Sequence, residues 1–141
     1  MTKMQRGATR VAAMVLLVLV LSGFSADERF LFDAVNGLRA SKGHPGLVDQ
    51  AAVNARAERW AVTLAKSGQL RHSDLRTLPV PFRGAAENVA YAATVKQVHQ
   101  LLAASPLHRA NMLDPAYTGV GIGTARGRNG MVYAVQVFYR Q

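Results

Sequence analysis

The chain has 141 residues, 50% of them hydrophobic, with 17 Lys and Arg against 8 Asp and Glu and no cysteine. That length accommodates one domain, and the apolar fraction excludes a disordered chain. The missing cysteines exclude a disulfide scaffold, an iron–sulfur centre, a thiol nucleophile and any thiolate zinc site.

In chain order, Lys3, Arg6 and Arg10 precede the apolar run Val11 to Leu21, which exits through Ser22, Gly23, Ser25 and Ala26. A basic start, a short apolar stretch and a small-residue exit predict a secretory signal peptide over residues 1–25, cut after Ser25 with Gly23 at −3. The run is too short to span a bilayer, which takes about 20 apolar residues. No transmembrane span is therefore expected in the mature protein, residues 26–141. Discounting the leader lowers the formal charge of +9 by three. The remaining cations are scattered, without the basic and aromatic stripe of a nucleic-acid binder. A secreted, basic domain that favours anionic cell-wall or membrane polymers is the expectation, with no nucleic acid as partner.

Ser25 and Glu28 have the form of a capping box, and Leu31, Val35 and Leu38 follow at helical spacing, so a first helix is expected over Asp27 to Ser41. Gly43 and Pro45 stop it. Asp49 is the expected N-cap of a second helix running to Ser67, with Ala51, Ala55, Trp60, Ala61 and Leu64 as its packed stripe and Gly68 as its end. Residues 69–86 carry Pro79, Pro81 and Gly84 and read as a long irregular loop, of the kind that holds function. A short strand is expected over Glu87 to Tyr91. Thr94 and Gln97 form a second capping-box pattern opening a third helix, which Pro106 breaks.

The C-terminus reads as a hairpin: Gly119 to Ala125, a turn whose Asn129-Gly130 supplies positive φ, and Met131 to Tyr139. One face of the last strand carries Tyr133, Val135, Val137 and Tyr139. The other carries Val132, Ala134, Gln136 and Phe138. Two apolar faces require cover on both sides. The expected fold is therefore α+β, a three-layer α–β–α sandwich around a small, mainly antiparallel sheet. Gln136, the polar exception, is expected beside something polar.

Of four histidines, His44 in a turn and His99 in a helix have structural explanations. His72 opens the long loop and His108 follows the helix break. Neither belongs to a helical metal-binding pair, and by spacing alone a surface or hydrogen-bonded role is the commoner one. Glu87 heads an apolar strand, where a carboxylate needs a histidine, a metal or an arginine beside it.

The run Ser105-Pro106-Leu107-His108-Arg109-Ala110-Asn111-Met112-Leu113 and the following Asp114-Pro115-Ala116-Tyr117-Thr118-Gly119-Val120-Gly121-Ile122-Gly123 resemble the bacterial branch of the CAP superfamily. That superfamily holds the cysteine-rich secretory, antigen 5 and pathogenesis-related 1 proteins. Val35 to Ala40, His72-Ser73, Glu87 to Ala90 and Tyr133 to Phe138 agree in order and spacing, so the resemblance covers residues 30 to 139. It implies an α–β–α sandwich whose cleft is made by two histidines and two acids, the histidines able to hold zinc. His72 and His108 match the two histidines and Glu87 the first acid. The second acid falls at Ser105, so that corner lacks its carboxylate. Leu102 stands where many relatives carry tryptophan, and Leu107 replaces a glycine.

Two functions follow. A binding module would recognise a lipid, a sterol or a cell-wall polymer in the cleft. A hydrolase would place zinc and a water on His72 and His108, with Glu87 as third ligand or general base. A serine nucleophile at Ser73 or Ser105 lacks the elbow motif that would activate it. The missing acid favours binding over catalysis.

Overall fold

The structure is a computed structural model, and it describes residues 24–141. The expected leader lies almost wholly outside the described residues. Helix α1 spans Ala26–Ser41, strand β1 Val48–Asp49, helix α2 Ala51–Ser67, strand β2 Gly84–Ala92, helix α3 Val95–Ala104, helix α4 Pro106–Leu113, strand β3 Gly119–Arg126 and strand β4 Val132–Arg140. A 3-10 turn, Leu75–Thr77, interrupts the long loop.

The sheet order is β1-β3-β4-β2, with β1 parallel to β3 and the remaining pairs antiparallel. Side-chain alternation along β4 assigns the two layers. Val132, Ala134 and Phe138 pack with Leu31, Val35, Val98, Leu102 and Met112 of α1, α3 and α4. Tyr133, Val135, Val137 and Tyr139 pack with Val53, Ala57, Ala61 and Leu64 of α2. Both faces of β4 are covered, and the α–β–α sandwich follows.

Local chemistry accounts for the element ends. The Ser25–Glu28 capping box forms in both directions. Glu28 also accepts from Thr124 N at 3.1 Å, and Asn54 accepts from Ile122 N at 3.0 Å. Strand β1 is only two residues long, so these side chains satisfy amides on the stretch of β3 that β1 does not reach.

Several expectations need correction. The N-cap of α2 is Gln50, because Asp49 belongs to β1 and its carboxylate accepts from Asn54. Ala51 and Ala55 are exposed and Trp60 is half-buried, so the packed stripe is Val53, Ala57, Ala61 and Leu64. Strand β2 starts at Gly84, three residues earlier than expected, and pairs along its full length with β4. Thr94 accepts from Gln97 N, which is one half of a capping box. Pro106 does not merely end a helix: it occupies the first turn of α4, where its missing N–H costs nothing. At the hairpin only Gly130 has a positive φ, while Asn129 instead accepts from Met131 N and donates to the Tyr133 hydroxyl.

Gly121 and Gly123 set the distance between α2 and the sheet. A Cβ on Gly121 would lie 2.4 Å from Val53, and one on Gly123 would lie 2.1 Å from Glu58 N. Helix α2 thus rests its backbone almost directly on β3.

Candidate functional site

Glu87 is carried into the sheet by β2, and its side chain is only 1% exposed. Three donors converge on it. His72 Nδ1 and Ser73 N lie 2.8 and 2.9 Å from Oε1, and Ser73 Oγ donates to Oε2. Such convergence satisfies a buried carboxylate. His72 itself is mostly exposed, its side chain at 64%. With Nδ1 donating to the carboxylate, the outward Nε2 of the neutral ring carries the lone pair.

Behind Ser73 stands Arg56 of α2, buried at 9% exposure. It donates to Ser73 Oγ at 3.1 Å, to the Asp74 carbonyl at 2.6 Å and to Thr77 Oγ1 at 3.1 Å. A chain of donors therefore runs from Arg56 through Ser73 to Glu87. It fixes the first turn of the long loop, and with it His72.

His108 arrives from the other layer, on the first turn of α4. Its carbonyl accepts from Asn88 Nδ2 at 3.0 Å, so the residue next to Glu87 on β2 holds α4 in place. Asn88 Nδ2 also donates to Gln136 Oε1 at 3.1 Å, and Asn88 Oδ1 accepts from Asn111 at 2.9 Å. Gln136 thus does sit beside polar neighbours, although its Nε2 has no partner among the described residues. Arg39, 1% exposed, clamps the far end of α4: it donates to the carbonyls of Met112, Asp114 and Pro45 at 3.0, 2.9 and 2.8 Å. These are carbonyls that a helix C-terminus and its following loop leave unpaired.

Burial pushes the His108 imidazole below its usual pKa, and the charge of a protonated His72 pushes it the same way. Ser105 links α3 to α4 as the N-cap of α4, with no side-chain capping bond, three residues before His108. The structure thus brings His72 and Glu87 into contact and sets His108 near them, with Ser105 on the same helix start. His44 and His99 lie elsewhere; the buried Nδ1 of His99 has no partner among the described residues, and its ring meets Phe30 edge-on.

The cluster offers zinc two imidazoles. Among the described residues no group of three His, Asp or Glu side chains could hold one metal ion. Glu87, saturated by its three donors, backs His72 in the way carboxylates orient metal-ligating histidines. Any metal bound here would have at most the two imidazoles of His72 and His108 from this chain, with its other positions left to water or ligand.

Sequence reasoning singled out His72, Glu87 and His108 but missed Arg56, Asn88 and Asn111 and discounted Ser73. The only available signal was a polar residue interrupting each apolar run: Arg56 between Val53 and Ala57, Asn88 between Glu87 and Val89.

Among the described residues no helix is long and apolar enough to cross a membrane. No curated protein matches the chain. Several solved structures share the fold. An extracellular protein with an SCP domain from Bacillus anthracis superposes at TM-score 0.73 with 22% identity, over 82% of this chain and 40% of that one. An outer surface protein from Borrelia burgdorferi gives 0.71 and 17%, over 82% and 92%. A cysteine-rich secretory protein from Staphylococcus aureus gives 0.67 and 21%, over 82% and 39%. The chain thus spans about two fifths of the Bacillus and Staphylococcus chains. The profile of the cysteine-rich secretory protein (CAP) family runs over residues 32–138, from α1 into β4 and through all three site residues, and the chain belongs to that family.

Proposed function

We propose that this protein is exported and acts as an extracellular binding module, whose His72–Glu87–His108 cleft holds zinc and takes a lipid, sterol or cell-wall ligand. The observation that carries this reading is the state of Glu87. Its side chain is 1% exposed and already accepts from His72, Ser73 N and Ser73 Oγ. A general base must reach the proton it removes. A carboxylate buried behind a histidine does not, and Ser105 supplies no second acid. This burial weighs against Glu87 as the general base of a zinc-dependent hydrolase.

Zinc bound by two imidazoles would supply a Lewis acid with open positions for a ligand's oxygen. NaASP2, a structure of this fold at 15% identity and TM-score 0.59, was determined with Zn2+. Apolar surface adjoins His108: Leu107, next to it on α4, is 80% exposed. Such surface favours a ligand with hydrocarbon character.

Isothermal titration of zinc tests the reading. The mature protein should bind zinc, and His72→Ala or His108→Ala should abolish most of the binding without unfolding the chain. Affinity should fall as pH drops through the histidine range near ~6.5, because zinc takes neutral imidazole. Ser105→Glu should strengthen binding by adding a donor. Indistinguishable curves for the wild type and both histidine variants would overturn the shared site.

A further inference from the structure

A second cleft, of about 500 Å³, opens between α2 and the segment Ser73–Pro79, on the other side of Ser73 from His72. Arg56, Arg59, Trp60 and Thr63 form its helical wall, at positions i, i+3, i+4 and i+7 of α2. Asp74 and Thr77 face them.

The charges in this cleft are not balanced. Asp74 is the acid of the lining, and Arg76 occupies its carboxylate at 2.9 and 2.8 Å. The same pairing holds the Asp74 carboxyl at a pKa of about 2, with the charge of Arg56 acting in the same direction, so Asp74 is ionised at any ordinary pH. Neither Arg56 nor Arg59 has a carboxylate partner among the described residues. Arg56 meets only neutral oxygens, and its three hydrogen bonds leave two of its five N–H donors uncommitted. Because those bonds lock its guanidinium, an incoming anion would find it pre-oriented. Trp60 lines the same wall, half-buried, its Nε1 donating to the Arg71 carbonyl at 3.1 Å. Arg71 covers the ring at 5.0 Å and adds a further positive charge to the rim.

From a locked guanidinium, a second unpaired cation, a fixed indole and a cleft the size of a small-molecule site, we infer that this is a binding site for an anionic carbohydrate, a sugar bearing a carboxylate or a phosphate. The arginines take the acidic group through charge-assisted hydrogen bonds, and the indole, one face of which Arg71 covers, gives the sugar apolar contact. A nucleic acid fits less well: the cations stay within one cleft and do not form a groove that tracks successive phosphates. The site needs no zinc, although Arg56 and Ser73 link it to the histidine cleft.

Trp60 is the one tryptophan of the chain, so its fluorescence reports on this cleft directly. The protein should be titrated with N-acetylmuramic acid, N-acetylglucosamine 6-phosphate, neutral N-acetylglucosamine, inorganic phosphate and a short single-stranded oligonucleotide. A saturable change is expected with at least one of the two anionic sugars, with the neutral sugar and inorganic phosphate each weaker by about tenfold or more, since each lacks one half of the recognition. The carboxylate and phosphate arms identify which acidic group is preferred. Arg59→Ala, an exposed position that leaves the fold intact, should weaken the preferred sugar several-fold, and Arg59→Lys should recover part of the loss. Chelation of divalent metal should leave the binding unchanged, which separates this site from zinc binding at the histidines. Absence of a response to both anionic sugars, equal binding of the neutral one, tighter binding of the oligonucleotide, or an unaffected Arg59→Ala would each overturn the inference.

Discussion

Trp60 is the bulkiest side chain of α2, yet it sits half-buried at the rim, and Arg56, one turn earlier, is the residue taken inside. Removing Trp60 therefore leaves no sealed cavity, whereas removing Arg56 strips donors from Ser73 Oγ, the Asp74 carbonyl and Thr77 Oγ1 at once. Trp60→Ala should cost about 1–2 kcal/mol, below the ~3–5 kcal/mol of a core aromatic. Arg56→Ala should cost about 2–4 kcal/mol, because polar groups that lose a partner in a buried place are expensive. Urea denaturation of the two variants checks the order, and a larger loss for Trp60→Ala would contradict the burial described. The sequence invited the opposite ranking. Hydrophobicity is visible in a single letter, but the partners of Arg56 arrive 17 to 21 residues later in a loop without periodicity.

Elements with a strong repeating pattern were legible, and elements defined by contacts were not. Helix α1, the body of α2, and the hairpin β3–β4 carry period and turn chemistry of their own. Strand β1 has two residues and no pattern to read. Helix α4 was hidden because Pro106 signals a stop and a start equally well, and the clamp that holds it, Arg39, lies 73 residues away from its Met112 partner. The seam between α2 and β3 is similar: Gly121 and Gly123 read as strand residues, while their real task is to admit a helix backbone. Gly123→Ala puts a methyl group against the backbone of Ala57 and Glu58, which cannot rotate away. It should destabilise the domain by ~3 kcal/mol or prevent its folding. Gly37→Ala, on an open surface of α1, should be neutral or slightly stabilising, since nothing lies within 4 Å of the added carbon. Thermal melts of the pair would show whether close approach, and not glycine content, sets the difference.

For the whole molecule, the two apolar faces of β4 were enough to announce three layers, and His72, Glu87 and His108 were visible once their segments were read together. What joins those layers into one titrating body was not visible. His99 lies between α3 and α1, where burial lowers its pKa below the usual 6.5. A histidine depressed in the folded state is protonated first in the unfolded chain. Its stability contribution is therefore complete above about pH 6.5 and is lost as pH falls below that value towards the folded pKa. His108, shifted in the same direction, adds to the slope. Stability should fall as the pH is lowered below ~6.5, and His99→Leu should make that fall shallower. Chemical denaturation at several pH values between 7.5 and 5 measures both, and parallel curves for wild type and variant would refute the assignment to His99.

The capping box at the start of α1 bears on how the chain is processed. Ser25 supplies the cap oxygen, its own amide is held by Glu28, and Phe24 packs on Phe32 beneath the guanidinium of Arg29. A leader peptidase cuts an extended segment, and these residues are extended only until the first turn forms. Helix and protease thus compete for the same few peptide bonds, and the folded domain protects whichever residues it has already engaged. Cleavage after Ser25 would discard both the cap and the Phe24 contact, at a cost of about 1 kcal/mol for the cap alone. The mature N-terminus should fall at or before Phe24. Under the proposed export, intact-mass measurement of the protein recovered from the medium or envelope would reveal it, and a chain beginning at Ala26 would show that the protease acts before the helix can close.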